Sequence, residues 1–377
     1  MMPLIDPLEF AQALMACNSV TPADGGAQAV LADALASIGF EVHRFSHGEA
    51  PDGPIENLFA TRGSGGRHFA FAGHTDVVPP GEGWESDAFL PSIRGELLYG
   101  RGAVDMKGAI AAFVAAASRG QPDEGIVSLI ITGDEEGPAT WGTKALMAWM
   151  TEKGIRPDMI LVGEPTSSSR LGDTVKIGRR GSVNMWIDVP GVQGHVAYPH
   201  LASNPIPALA TVLHSLTAMH LDSGTDWFQP SNLEITDIET GNPAANVIPG
   251  HARARLNIRF NDLHSGADLV DRVREIVSAE APEATLTSRI SGEAFLTAPG
   301  PLSTLVSEAI SDATGLAPDL STSGGTSDAR FLSKIAPTVE FGLVNATMHK
   351  LDEAVAIPDL RTLADIYASI ISRALAG

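Results

Sequence analysis

Apolar positions open the chain at helical spacing. Leu8, Ala11, Leu14 and Met15 follow Asp6, a residue type that caps helices, with Pro7 at the first helical position and Glu9 at the third. A second helical run covers about 24–38 and stops at Gly39, the residue type favoured just past a helix end. Beyond it the period changes. Short apolar runs at Glu41–Phe45, Leu58–Thr61, His68–Ala72, Ile126–Thr132 and Met159–Gly163 read as strands, and Met106–Ser118 and Thr140–Lys153 read as helices between them. Apolar strands alternating with helices predict an α/β domain around a largely parallel central sheet.

Near Gly178 the character shifts. Val183–Val189, Leu233–Ile238, Ala252–Phe260 and a shorter Thr285–Ile290 read as strands, separated by helices at Pro205–Leu221 and Gly266–Ala281. The third strand alternates cleanly, with Ala252, Ala254, Leu256, Ile258 and Phe260 on one face and Arg253, Arg255, Asn257 and Arg259 on the other. One dry and one wet face indicate an antiparallel sheet, and the order β-α-β-β-α-β is that of a ferredoxin-like unit. From about Phe295 the α/β pattern returns, with a helix at Leu302–Ala313, a strand near Thr338–Phe341 and a last helix at Asp359–Ala374. The expectation is a discontinuous α/β domain, 1–179 and 294–377, carrying an inserted α+β domain at 180–293.

Composition narrows the partners. Hydrophobic residues are 44% of 377 positions, enough for two sizeable cores. Asp and Glu number 45 against 25 Lys and Arg, a formal charge of −20. That balance argues against a nucleic-acid backbone or an anionic membrane surface as main partner, and any site for an anion must gather its arginines locally. The one cysteine, Cys17, excludes an intramolecular disulfide framework and a Cys-rich zinc knuckle. No leader-like segment opens the sequence and no run approaches 18 apolar residues, so a cytoplasmic protein is expected.

Four segments set glycine beside carboxylates or histidines where α/β strands should end. They are AGHTDVVPPGEGW (His74, Asp76), LYGRGAVDMKG (Asp105), ITGDEEG (Asp134, Glu135, Glu136) and LVGEPT (Glu164), and NATMHKLDE adds His349. Ligands bind beyond the carboxyl ends of strands in such sheets. Singly the signals are weak. A lone histidine is usually a surface or satisfied core residue, and this acid content gives about five adjacent acidic pairs by chance. Position strengthens them: three strands deliver ligand-type residues to one sheet edge. Imidazole and carboxylate without thiolate suit Zn²⁺, with Mn²⁺ or Co²⁺ able to substitute. Two histidines and three carboxylates (His74, His349, Asp105, Glu136, Glu164) exceed one open zinc site and suit two metals sharing a carboxylate, with Glu135 left to take a proton from water.

On GHTDVVP, GRGAVDMKG, DEEG and GEPT the chain resembles the co-catalytic zinc aminoacylase and carboxypeptidase family, over nearly its whole length. The resemblance implies a catalytic domain holding two zincs per chain and an inserted lid through which a homodimer forms. By motif it makes Asp105 the bridge, places His74 and Glu164 on one zinc and Glu136 and His349 on the other, and makes Glu135 the general base. Asp76 is implied to orient the His74 imidazole, as partners of metal-bound histidines do. TGDEEG in place of TADEEG, and LDEAV in place of a KxNE-like ending, depart from commoner spellings without touching a ligand.

On GRRGSVNMWIDVPGVQGHVAYPH, NPAANVIPG and STSGGTSDARF, followed by MHKLDE, the chain resembles a branch of that family that removes succinyl from a diamino-diacid. The implied substrate is a small anionic N-acyl amino acid. For its carboxylates the resemblance nominates Arg179 and Arg259, with Tyr198, Asn246, Thr326 and Asn345 beside them, and arginine's fork suits that task. His195 is implied to reach the partner subunit's site as an oxyanion donor. Plainer readings exist: Arg259 lies on a wet strand face, and Arg179–Arg180 is also a reasonable edge-strand charge pair. Competing functions are deacylation of another N-acyl amino acid such as acetylornithine, dipeptide hydrolysis on the same scaffold, or a metal-free binding module.

Overall fold

In the computed structural model, which describes residues 3–120 and 124–376, Asp6 Oδ1 accepts the amides of Leu8 and Glu9 and starts the helix Pro7–Met15. The chain divides into two units. One comprises the described residues up to Ile177, Thr297–Ser321 and those from Ser327 onward; the other is Gly178–Leu296 with Thr322–Thr326.

In the first unit eight strands make one sheet, in the order Glu41–His47, Ile55–Ser64, Gly125–Thr132, His68–His74, Met159–Val162, Thr338–Glu340, Thr174–Lys176, Asp319–Ser321. Its centre, from Gly125–Thr132 to Thr338–Glu340, is parallel throughout. The two N-terminal strands join it antiparallel. The helix Lys107–Ser118 is buried along its whole length, which its alanine-rich sequence allows because small side chains permit close packing. It lies against Pro7–Met15 and the C-terminal helix Ile357–Leu375. Phe113 stacks on Phe71 at 4.2 Å and meets Tyr367 edge-on at 5.8 Å. Truncating such a residue costs about 3–5 kcal/mol. This seating matters for the site because the helix begins two residues after Asp105.

The second unit holds a four-stranded antiparallel sheet in the order Asn232–Glu239, His251–Phe260, Gly181–Pro190, Thr285–Gly292. Helices Pro205–Thr217 and Gly266–Glu280 supply Leu209, Val212, Leu216, Leu269 and Val273 to one core with Ala254, Leu256, Ile258 and Phe260. Arg253, Asn257 and Arg259 on the opposite face stay partly exposed. The first helix stops at Thr217, short of the expected Leu221.

Thr322–Thr326 belongs to this unit although the sequence pattern places it with the first. A five-residue excursion leaves no periodic trace. Its attachment is local: Arg179 Nη1 donates to Gly325 O at 3.2 Å. Gly324, at φ +106°, leaves room for that guanidinium, since a Cβ there would stand 2.9 Å from Nη1. Among the described residues no helix is long and apolar enough to cross a membrane.

Candidate metal centre

The strand His68–His74 ends with His74 almost fully buried. The Asp76 carbonyl oxygen lies 2.9 Å from His74 Nδ1, which directs Nε2 at carboxylates: Asp105 Oδ1 at 3.2 Å and Glu164 Oε1 at 3.8 Å. From the other side His349 Nε2 lies 3.1 Å from Asp105 Oδ2 and 2.8 Å from Glu136 Oε1. The ligand atoms of His74, Asp105 and Glu164 fall within 4.8 Å of one another, as do those of Asp105, Glu136 and His349, and those of His74, Glu135 and Glu136. Asp105 is thus common to two His-and-carboxylate groups.

Acidic side chains shape the turn that carries Glu135 and Glu136. Asp76 Oδ1 accepts the Glu135 amide at 3.2 Å, Oδ2 accepts the Glu136 amide at 3.0 Å, and Thr21 donates its hydroxyl to the same Oδ2. Asp134 closes the following loop by accepting the amides of Ala139, Thr140 and Trp141. The Asp76 carboxylate stands 3.6 Å from His74 Nδ1, so the short contact to the imidazole is made by its backbone oxygen and the carboxylate serves the acidic turn.

Negative charge dominates the electrostatics. Burial alone would push the His74 imidazole down, yet Asp105, Asp76 and Glu164 raise it well above its ordinary value. Hydrogen bonds to Asp105 and Glu136 push His349 up to about 10. Asp105, despite its burial, is held below the usual carboxylate range by the two histidines. Burial, then the neighbouring Glu164, Asp328 and Glu136, raise Glu135 well above it. Nitrogen and oxygen donors in two groups joined by one carboxylate, in a site that draws positive charge, fit a pair of divalent ions.

The remaining nominated residues divide between the units. Asn345 is in the first, four residues before His349, with its amide on Ser167 O at 2.9 Å. Arg179, His195, Tyr198, Asn246, Arg259 and Thr326 are in the second. There His195 pairs with Val247 across two short strands, and the ring of Tyr198 lies 5.7 Å from its imidazole. Asn246 O accepts the Val196 amide at 3.1 Å. Ala197 N donates to His195 Nδ1 at 3.0 Å, so the neutral ring carries its proton on Nε2. Arg259 is half-buried, and burial and then the adjacent Arg180 push its guanidinium down. Arg259 Nη1 and Arg180 Nε have no hydrogen-bond partner among the described residues. Sequence reasoning passed over Arg101 and Glu353, whose side chains pair across 252 positions. Both lay inside quoted segments, but no spacing rule links them.

The sequence pattern of peptidase family M20/M25/M40 matches residues 70–373. The chain belongs to this family. It is similar to the succinyl-diaminopimelate desuccinylase of Rhizorhabdus wittichii, at 70% identity over 373 residues and 99% of each chain. In fold this M20-family chain is similar to a tripeptidase of Staphylococcus aureus, with a TM-score of 0.80, 19% identity and 100% of both chains covered. It is likewise similar to a dinuclear metal-binding peptidase of the same family from Bacillus subtilis, with a TM-score of 0.72, 15% identity, 98% of this chain and 97% of that one.

Proposed function

We propose that this M20-family chain is a two-metal amide hydrolase that removes succinyl from N-succinyl-LL-2,6-diaminopimelate, giving succinate and LL-2,6-diaminopimelate for diaminopimelate and lysine biosynthesis. The observation that carries the chemistry is the Asp105 carboxylate set between His74 and His349. The substrate is supported by the full-length likeness to a desuccinylase and by an Arg259 Nη1 that has no hydrogen-bond partner among the described residues, in a chain of charge −20.

His74, Asp105 and Glu164 would hold one divalent ion, and Asp105, Glu136 and His349 the other, with Zn²⁺ the metal and Co²⁺ or Mn²⁺ able to substitute. Such a pair would supply Lewis acidity to the scissile carbonyl and lower the pKa of the attacking water. Glu135, which the ligand assignment leaves free, takes the proton from that water and passes it to the departing amine. Asp76 keeps Glu135 in place by gripping its amide. Arg179 and Arg259 bind substrate carboxylates, with Tyr198, Asn246, Thr326 and Asn345 as further polar partners of the substrate. His195 offers Nε2–H to the developing oxyanion, from the partner subunit of a homodimer formed through the second unit.

The test is turnover of N-succinyl-LL-2,6-diaminopimelate against N-acetylornithine, before chelation, after it, and after Zn²⁺ is returned. The expected result is a preference of several orders of magnitude for the succinyl substrate, lost on chelation and restored by Zn²⁺. Equal or faster turnover of N-acetylornithine overturns the substrate, and full activity in metal-free protein overturns the metal reading.

A further inference from the structure

Glu353 sits four residues past His349 with its side chain fully buried. Its carboxylate accepts four hydrogen bonds: Oε2 from Arg101 Nη1 at 2.8 Å and Gly102 N at 3.1 Å, Oε1 from Val104 N at 2.8 Å and Asp105 N at 3.2 Å. Its backbone oxygen takes the Gly100 amide at 2.9 Å. One residue thus holds the whole turn 100–105, whose last member is the carboxylate between the two histidines. Gly102 adopts φ +84° there, a conformation that lets successive amides converge on one acceptor.

Arg101 extends the grip to two more segments. Its Nη1 donates to Lys350 O at 3.2 Å, directly after His349. Its Nη2 reaches Pro79 O at 3.4 Å and Pro80 O at 3.2 Å, in the loop that follows His74 and Asp76. The Trp84 ring covers the guanidinium at 5.1 Å and is itself tied to Pro80 O through Nε1 at 2.7 Å. A buried ion pair adds little net stability over apolar residues of the same volume, so its value here lies in the geometry it imposes.

Resting on the metal reading above, we infer that the buried Arg101–Glu353 pair is a positioning unit that sets Asp105 and His349 in register with the His74 arm of the site. Neither side chain is a ligand; each acts through the backbone of the segments that carry ligands. Residues in such outer positions change metal affinity or activity by about 10–100-fold when lost.

The experiment titrates wild type, Glu353→Gln and Arg101→Lys with Co²⁺, reading stoichiometry, dissociation constants and the visible spectrum. Arg62→Lys is the stability control. That buried arginine holds Ile38 O, Ala117 O and Gly120 O, and its one contact on the helix after Asp105 is at the far end from that residue. Wild type should bind two ions. Glu353→Gln should weaken binding by about 10–100-fold with a changed spectrum, and Arg101→Lys should do so to a smaller degree. Arg62→Lys should lower the thermal midpoint and leave affinity and spectrum unchanged. A folded Glu353→Gln protein with wild-type Co²⁺ affinity and spectrum overturns the inference, whatever its thermal midpoint. If Glu353→Gln does not fold, wild-type behaviour of Arg101→Lys overturns it equally. A wild type that binds no Co²⁺ removes the metal reading and this inference with it, a failure visible before any variant is compared.

Discussion

His74 and His349 meet opposite oxygens of one carboxylate: Asp105 Oδ1 is 3.2 Å from His74 Nε2 and Oδ2 is 3.1 Å from His349 Nε2. Two dications held about 3.5–4 Å apart repel strongly unless a negative group stands between them. Asp105→Ala should therefore disturb both sites. Metal analysis after dialysis should show a fall from about two ions per chain to one or fewer, with activity lost. Full metal content and full activity in that variant would remove the bridging role.

Glu135 and Glu136 leave one turn toward different neighbours. Glu136 Oε1 faces His349 at 2.8 Å and belongs to the Asp105–His349 group, whereas Glu135 belongs to neither of the two groups that share Asp105. Glu135→Gln should keep its metal and lower kcat by about 10²–10⁴-fold, the usual span for an acid–base group. Glu136→Gln should lose metal first. Metal analysis alongside kinetics distinguishes the two, and the opposite pattern would exchange the roles.

Asp76 supplies a third case. Its carboxylate accepts the amides of Glu135 and Glu136 and the Thr21 hydroxyl, while its backbone oxygen contacts His74. Asp76→Ala should leave the His74 contact largely intact and release the acidic turn, lowering activity by about 10–100-fold. Thr21→Val, which deletes only one donor to that carboxylate, should have a smaller effect in the same direction. A Thr21→Val loss as large as that of Asp76→Ala would mean that the hydroxyl, and not the paired amides, places the turn.

Three of the five proposed ligands stand out in the sequence because they follow apolar strands, where the topology of α/β sheets gathers polar residues: His74 after Phe69–Ala72, Glu136 after Ile126–Thr132, Glu164 after Met159–Val162. The alternation from Ala252 to Phe260 likewise announced one dry face, which the second unit buries. What escaped has a physical reason. Thr174–Lys176 and Asp319–Ser321 are three-residue strands, too short for any period to show. Glu353 follows Leu351 and Asp352 and reads locally as a solvated acidic turn; only the fold brings it to Arg101. Asp76 was legible as a partner of its neighbour His74, but its grip on an acidic turn 59 positions away was not.

In the second unit Asp222 gathers Gly224 N at 2.7 Å, Ser231 N at 3.2 Å, Asn261 Nδ2 at 2.7 Å and His264 Nε2 at 2.9 Å. Burial raises its carboxyl, but donors from Ser231, Gly224, Asn261 and His264 more than offset this and hold it below the usual range. A depressed carboxyl stabilises the fold above its unfolded pKa of about 3.9 and loses that contribution as pH falls through the folded value. Asp222→Asn should cost about 1–3 kcal/mol at pH 7. The gap in thermal midpoint from wild type should narrow steadily below about pH 4. A gap that stays constant down to pH 3 would show that the charge contributes nothing.

His195 can be tested by pairing two inactive proteins. Its Nδ1 accepts the Ala197 amide at 3.0 Å, which leaves Nε2–H as the outward donor. A donor aimed at a developing oxyanion contributes about 2.7–4 kcal/mol, so His195→Ala should lower kcat by about 10²–10³-fold with metal content unchanged. If the histidine acts on the partner subunit's site, a heterodimer of Glu135→Gln and His195→Ala has one complete site: the subunit that keeps Glu135 receives the intact His195 of the other. Random exchange makes half of the dimers mixed, with one of two sites working in each, so the mixture should regain up to about a quarter of wild-type activity. Donation within one subunit predicts no recovery at all, because each subunit then lacks one of the two residues. Activity measured before and after subunit exchange, with exchange confirmed by mass-tagged dimers, decides between the two.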